Sequence, residues 1–274
     1  MKHFPLFRRA FFSAVLALTS AASQGSAQSS LDGDKMVSLE ILTGWRAQDG
    51  TQIAAMKIAL APDWVTYWRV PGEAGIPPQF SLTQSENISG ISFSWPRPKA
   101  ETKFGLQSFV YHDQVIVPMT VTLKNPRAPA RLAGEIQIGV CADVCIPVKL
   151  SFDTDLPATG EVGTKAIKHA LLLGARASKT TATCDFIPSA AGMGVRITAK
   201  LPPLKGQEIA VVEHSDQSLW VSPTRVSRNG NTLNVETSLA SDTGLPTGLQ
   251  RSDLRLTVLG ESDMVEFIGC HSPS

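Results

Sequence analysis

Apolar and polar residues alternate over short runs along most of this chain, and turn signals cut each run before a helical period can develop. Val37, Leu39 and Ile41 alternate with Ser38 and Glu40, and the mainly apolar run Gln52–Leu60 ends in Ala61-Pro62-Asp63. Residues 64–70 are strand-like and aromatic, and Pro71-Gly72-Glu73-Ala74-Gly75-Ile76-Pro77-Pro78 breaks them. Residues 91–95, stopped by Pro96-Arg97-Pro98, and residues 108–123 supply further strands. A period of two marks a strand with one buried face. With 18 Pro and 21 Gly in 274 residues, many turns are favoured over long helices. The pattern predicts an all-β chain built on an antiparallel sandwich.

The second half repeats the pattern after one interruption. Residues 161–175 have helical character, with Val162, Ile167, Ala170, Leu171 and Gly174 loosely spaced and Thr159 as N-cap. This segment is expected to be a connector that packs between two domains. Strand signals return at 194–200, 208–213, 219–222 and 254–259, and Asn229-Gly230 between Val226 and Leu233 is a hairpin signal. No long-period repeat of the solenoid kind is present.

At the N-terminus, Lys2, Arg8 and Arg9 precede an apolar stretch over 10–18, and Gly25-Ser26-Ala27 offers small residues for cleavage before Gln28. Residues 1–27 therefore read as a secretory signal, too short to span a membrane. Arg8-Arg9-Ala10-Phe11-Phe12 is similar to a twin-arginine export signal, and a general secretory signal with two arginines would look alike. No later segment reaches 18 consecutive apolar residues, so no membrane insertion of the mature chain is expected. In an exported chain disulfides form and persist. The balance of 25 Lys and Arg against 24 Asp and Glu argues against nucleic acid or another polyanion as partner.

The four cysteines permit three pairings. Cys141 and Cys145 lie in Gly-Val-Cys-Ala-Asp-Val-Cys-Ile-Pro, residues 139–147. A disulfide there requires a helical turn or a hairpin tip that brings the Cα atoms within roughly 4.4–6.8 Å. Loop-closure entropy gives so small a ring only about 2 kcal/mol, which suits a bond that opens and closes better than a staple. Cys184 and Cys270 bracket the second set of strands, and a bridge between them would close a long loop worth about 4.6 kcal/mol. That magnitude suits a structural disulfide. Two rivals remain for Cys141 and Cys145: an inert loop disulfide, and metal. The pair with Ile146-Pro147 comes within one residue of the Cys-x-x-x-Cys-Pro pattern of Sco-like copper chaperones, and Cu(I) would need further soft ligands such as Met119 or His112. The strand-like alternation of Val148-Lys149-Leu150-Ser151-Phe152 differs from the helix that follows the motif in that family.

Four blocks taken together, residues 64–78, 94–98, 111–118 and 139–147, resemble in order the N-terminal periplasmic domain of DsbD and, more closely, its ScsB-like relatives. The resemblance covers roughly residues 35–155. It implies an immunoglobulin-like sandwich over 30–158, a helical connector over 159–178 and a second immunoglobulin-like sandwich over 179–274. It also implies a periplasmic carrier that passes electrons between a membrane hub and thioredoxin-fold acceptors by thiol-disulfide exchange, with no cofactor or metal. Cys145 would form the mixed disulfide and Cys141 would resolve it. Cys141 and Cys145 are separated by three residues where DsbD has five, as in ScsB-like proteins. The sequence to Ser274 carries no hub and no thioredoxin domain, so another polypeptide is expected to supply the electrons.

In DsbD a loop between two strands caps the sulfurs with an aromatic ring, and the matching segment is 97–105. Phe104 is the expected cap, with Tyr67 and Trp68 as floor, although aromatics on strands also pack into cores. Glu101 is a weaker candidate for an acidic cap residue. Asp143 between the cysteines would disfavour a thiolate if it faced either sulfur, and no Lys or Arg lies within the motif. His112, His169, His214 and His271 are scattered without metal-ligand spacing. Hydrolase, phosphate-loop and dinucleotide motifs are absent.

Overall fold

A computed structural model describes residues 36–189, 192–241 and 248–273 together with Met1. The expected export signal lies outside these residues. The first half of the chain forms β1 (Val37–Arg46), β2 (Gln52–Leu60), β3 (Val65–Gly72), β4 (Gln79–Ser81), β5 (Ile88–Phe93), β6 (Lys99–Lys103), β7 (Leu106–His112), β8 (Gln114–Leu123), β9 (Ala130–Cys141) and β10 (Cys145–Leu156). They make two antiparallel sheets, β1-β2-β8-β5 and β10-β9-β3-β7-β6, with β4 beside β9. A helix, α1 (Thr164–Leu172), follows. The second half forms β11 (Arg176–Ala177), β12 (Ala182–Ser189), β13 (Gly192–Lys200), β14 (Ile209–His214), β15 (Trp220–Val221), β16 (Arg225–Asn229), β17 (Thr232–Ala240), β18 (Leu254–Leu259) and β19 (Met264–Ile268). These pair as β11-β19-β18-β14 and β12-β13-β17-β15, with β16 on β17; β11 runs parallel to β19. The chain is two immunoglobulin-like sandwiches with a small helix between them in sequence.

The predicted alternation is strictest on β10. Val148, Phe152 and Leu156 are buried, while Cys145, Pro147, Lys149, Ser151, Asp153 and Asp155 are exposed. Even-numbered residues on this strand therefore face the partner sheet, and odd-numbered ones face outward. The first core gathers Met56 and Met119 from one sheet and Trp68, Leu132, Ile136 and Ile138 from the other, all below 3% exposed. It continues into Val211 on β14, Leu259 on β18 and Met264 on β19. A second core lies between the other two sheets.

Three local expectations are corrected. The helix begins at Thr164 after Gly163, whose φ of 71° ends the preceding extended chain, so Thr159 is not its cap. Its apolar stripe is narrow. Ile167 and Ala170 are buried, and Ile167 packs on Leu42 and Ala55 of the β1-β2-β8 face, so α1 covers the first sandwich instead of sitting between the two. Finally, residues 97–105 are not one loop, because Lys99–Lys103 is the edge strand β6 and only Phe104-Gly105 turns into β7.

Cys184 on β12 is bonded to Cys270, which follows β19, across a sequence separation of 86. The bridge ties the two sheets of the second sandwich together. Cys184 N–H donates to the His271 carbonyl at 2.8 Å, and His271 N–H to the Ala182 carbonyl at 2.9 Å. Replacing both Cys184 and Cys270 by Ser is expected to lower stability by about 4.6 kcal/mol. Ile167→Ala is expected to cost about 2–5 kcal/mol. Urea unfolding of the full chain measures both, and a loss below about 1 kcal/mol for Ile167→Ala would show that α1 is not anchored by this contact.

Candidate functional site

Ala142-Asp143-Val144 connects β9 to β10, and the register sets Cys141 directly opposite Cys145. Side chains opposed in this way meet across an antiparallel pair. The Cα atoms are 4.2 Å apart and the disulfide is formed. The Ala142 N–H donates to the Val144 carbonyl at 3.2 Å and closes the tip. The motif is thus a hairpin tip and not a helical turn.

Both sulfurs belong to the outward face of the sheet, yet their surroundings differ. Cys145 is exposed beside Val144, itself 62% exposed. Cys141 is only 3% exposed, because Val65 and Tyr67 of β3 and Val110 of β7 pack on it. The Tyr67 hydroxyl donates to Cys141 Sγ at 3.0 Å and lies 3.4 Å from Cys145 Sγ and from the Ala74 carbonyl. Burial pushes the Tyr67 phenol above its ordinary pKa, so it keeps the proton that it donates. Two glycines let the 73–78 loop lie against this ring. A Cβ on Gly75 would sit 2.5 Å from Tyr67 Cδ1, and one on Gly139 would sit 2.7 Å from Ile76 Cβ and 3.2 Å from Tyr67 Cδ2.

Trp68, the neighbour of Tyr67, points the other way. Successive residues of a strand face opposite sides, so Trp68 is fully buried in the first core, with its ring 5.8 Å from that of Phe109 in a T-shaped contact. Only Tyr67 of the expected floor lines the sulfurs. Phe104 stands 102% exposed at the β6–β7 turn, where it packs in no core and does not cover the disulfide. Its hairpin is nonetheless tied to the site. Gln107 N–H donates to the Glu73 carboxylate at 2.9 Å, Glu73 N–H donates to the Gln107 carbonyl at 2.8 Å, and Ala74 follows.

Glu101 is held by Lys99 at 2.7 Å and His112 at 2.9 Å. The Lys99 hydrogen bond holds its carboxyl below the ordinary carboxylate range despite partial desolvation, and His112 adds to the effect. Asp143 is exposed at the tip. Met119 is buried in the core between the sheets and His112 is engaged by Glu101, so the structure does not bring the expected copper ligands to the sulfurs. Among the described residues no cluster of three or more His, Cys, Asp or Glu forms a metal site.

The residues that sequence reasoning missed are Val65, Val110, Gly75 and Gly139. Their signal was present but indirect: Val65 and Tyr67 share a face, and Gly139 shares one with Cys141, but only the β9-β3-β7 neighbourhood joins them.

A sandwich that presents a disulfide at a hairpin tip, with one sulfur buried and the other exposed, has the layout that thiol-disulfide exchange requires. Residues 36–157 match the family model of the N-terminal region of the thiol:disulfide interchange protein DsbD. Among solved structures, the N-terminal periplasmic domain of ScsB from Proteus mirabilis is similar at 19% identity and a TM-score of 0.66, covering 89% of this chain and 96% of that one. The reduced DsbD N-terminal domain of Neisseria meningitidis matches at 18% identity and a TM-score of 0.30, over 48% of this chain and 90% of that one. No curated protein matches the chain. Among the described residues no helix is long and apolar enough to cross a membrane.

In the reduced protein, Cys145 is expected to be alkylated faster than Cys141, as read by mass mapping. Gly75→Ala should cost about 1–3 kcal/mol by overpacking and, by pushing the Tyr67 ring aside, should raise the alkylation rate of Cys141. An unchanged Cys141 rate in a destabilised Gly75→Ala protein would show that the ring does not shield that sulfur.

Proposed function

We propose that this protein is a periplasmic thiol-disulfide exchange carrier that passes electrons between a membrane hub and thioredoxin-fold acceptors through Cys141 and Cys145. The asymmetry of the pair carries this reading: one sulfur is open to attack and the other is buried with a hydrogen-bond donor on it. A partner thiolate attacks Cys145 Sγ, the Cys141–Cys145 bond breaks, and Cys141 leaves as a thiolate that accepts the Tyr67 hydrogen bond. A hydrogen bond to the charged form favours that form, so Tyr67 assists departure of the group that must leave. A second partner thiolate then attacks the partner's own sulfur in the mixed disulfide and releases Cys145. The partner is oxidised and the pair reduced, two electrons having moved. Delivery to an acceptor is the reverse, with Cys145 attacking and Cys141 resolving. Cys184 and Cys270 take no part, since they staple the two sheets of the second sandwich.

Phe104 is the proposed cap. It occupies a left-handed conformation, φ 53°, followed by Gly105 at φ 81°, in a turn whose preferred residues are Asn, Asp and Gly. A bulky residue at positive φ is uncommon, and full exposure returns nothing to folding here. A departure from local preference without a stability gain is the mark of a functional position. The ring lies off the sulfurs in this structure, so capping would require its hairpin, tied through Gln107 and Glu73 to the loop on Tyr67, to fold over the pair.

The expected outcomes are three. Mild reductant opens Cys141–Cys145 before Cys184–Cys270, read by alkylation at graded potentials; equal resistance would favour a non-catalytic sandwich that binds partners through its loops. Cys141→Ser traps a mixed disulfide with a thioredoxin-fold partner through Cys145, and Cys145→Ser traps far less; adducts only with the latter would reverse the two roles. Phe104→Ala changes stability by no more than about 0.5 kcal/mol, as for an exposed residue, while the reduced pair reacts faster with a small oxidant. Unchanged reactivity would remove Phe104 as the cap.

A further inference from the structure

Arg69 lies two residues beyond Tyr67 on β3, and its side chain reaches into the second sandwich. Its Nε and Nη2 donate to the two carboxylate oxygens of Glu213 on β14, each at 2.8 Å. Nη2 also donates to Glu266 Oε1 on β19 at 2.8 Å and to Thr257 Oγ1 on β18 at 3.1 Å. The guanidinium lies 4.3 Å above the Trp68 ring. Thr257 is fully buried, and the three charged side chains are only 15–20% exposed. Desolvation works against the charge on Arg69, but hydrogen bonds and charge from Glu213 and Glu266 outweigh it.

Adhesion between the sandwiches does not require this network. Val211, Leu259 and Met264 already join the first core, and apolar contact holds two bodies together without the desolvation that a buried ion pair costs. A bidentate arginine supplies geometric definition in addition. The place where β3 needs definition is just where Arg69 lies. β3 pairs with β9 only at Val65 and Thr66, and its ladder with β7 is interrupted between Tyr67 and Gly72. The stretch that follows Tyr67 is therefore without regular ladder partners; Trp68 anchors it in the first core and Arg69 anchors it on the second sandwich.

We infer that Arg69, gripped by Glu213, Glu266 and Thr257, is a positioning residue for the redox pair: it fixes β3 beyond Tyr67, keeps the Tyr67 hydroxyl on Cys141, and so lets the second sandwich set the acidity of the Cys141 thiol. The inference rests on reading Cys141 and Cys145 as an exchange pair. The other titratable groups on the elements around Tyr67 and the sulfurs are His112 on β7, Glu101 and Lys99 on β6, Glu73 in the loop on the Tyr67 ring, Asp143 at the tip and Cys145 on β10. None of them is altered in the variants below.

The test uses the full chain, reduced, with alkylation of Cys141 followed against pH by mass mapping. Tyr67→Phe should raise the midpoint of thiolate formation, with roughly a tenfold loss of thiolate at neutral pH from removing a hydrogen bond to a charged group. Arg69→Lys keeps the charge but cannot clamp both carboxylates, and should give part of that loss. Added to Tyr67→Phe it should give no further change. Glu266→Gln leaves the Glu213 clamp intact and gives a smaller shift in the same direction, which keeps the inference testable if Arg69→Lys does not fold. Folded variants with an unchanged midpoint overturn the inference, as does an Arg69→Lys shift of equal size with and without Tyr67. Failure of the exchange reading looks different: the midpoints would move together as described, yet the wild-type pair would exchange no electrons with a thioredoxin-fold dithiol.

Discussion

The register of the β9–β10 hairpin, Cys141 directly opposite Cys145, is the constraint from which the rest of the candidate site follows. Slipping it by one residue would send every side chain of the moved strand to the other face. Val148, Phe152 and Leu156 would leave the core, and the sulfurs could no longer meet. The hydrophobic pattern of β10 therefore enforces the geometry of the disulfide, and the energy that holds the register comes from core burial along the whole strand. A ring this small contributes little stability of its own, so the bond can open without loosening the hairpin that presents it.

The two disulfides divide along the same line. Cys184–Cys270 closes a long loop, joins opposite sheets and is partly enclosed by the second core. Cys141–Cys145 joins adjacent strands that are already paired, so cleaving it removes no topological restraint. Access differs as well, since Cys145 lies open while Cys184 is 1% exposed. Attack by an outside thiolate requires approach to a sulfur, and the exposed member of the small ring offers it.

What could be read in the sequence was whatever depends on period and turn chemistry. The alternation over residues 37–41, the run Gln52–Leu60 and the hairpin around Asn229-Gly230 are local, and each became a strand or turn, the first within Val37–Arg46 and the last with Asn229 pairing to Thr232. The pairing of Cys184 with Cys270 followed from loop length. What depends on neighbours far apart in the chain stayed hidden. Tyr67 and Trp68 are equivalent by composition, and only knowing which face of β3 adjoins Cys141 separates them. The loose spacing of apolar residues in α1 does not say which body the helix packs on, and in the structure Ile167 and Ala170 cover one sheet and leave Leu172 84% exposed. The grip of Glu213 and Glu266 on Arg69 spans more than 140 residues, and no periodicity records it.

Several departures from local rules lie on the sheet that carries Cys141. Phe104 takes a left-handed conformation at full exposure, the β3 ladder lapses after Tyr67, and Gly75 and Gly139 give up side chains so that a loop can lie on the Tyr67 ring. Each sacrifices some propensity or pairing that an ordinary sandwich would keep. The second sandwich, by comparison, has full registered ladders between β12 and β13 and between β13 and β17, and its sheets are stapled by a disulfide. A regular body of this kind can hold an irregular one in place, and the Arg69 network is where the two meet. Regularity on one side then allows the redox pair to sit among strands that are only partly laddered, where small displacements of Tyr67 change what the Cys141 sulfur experiences.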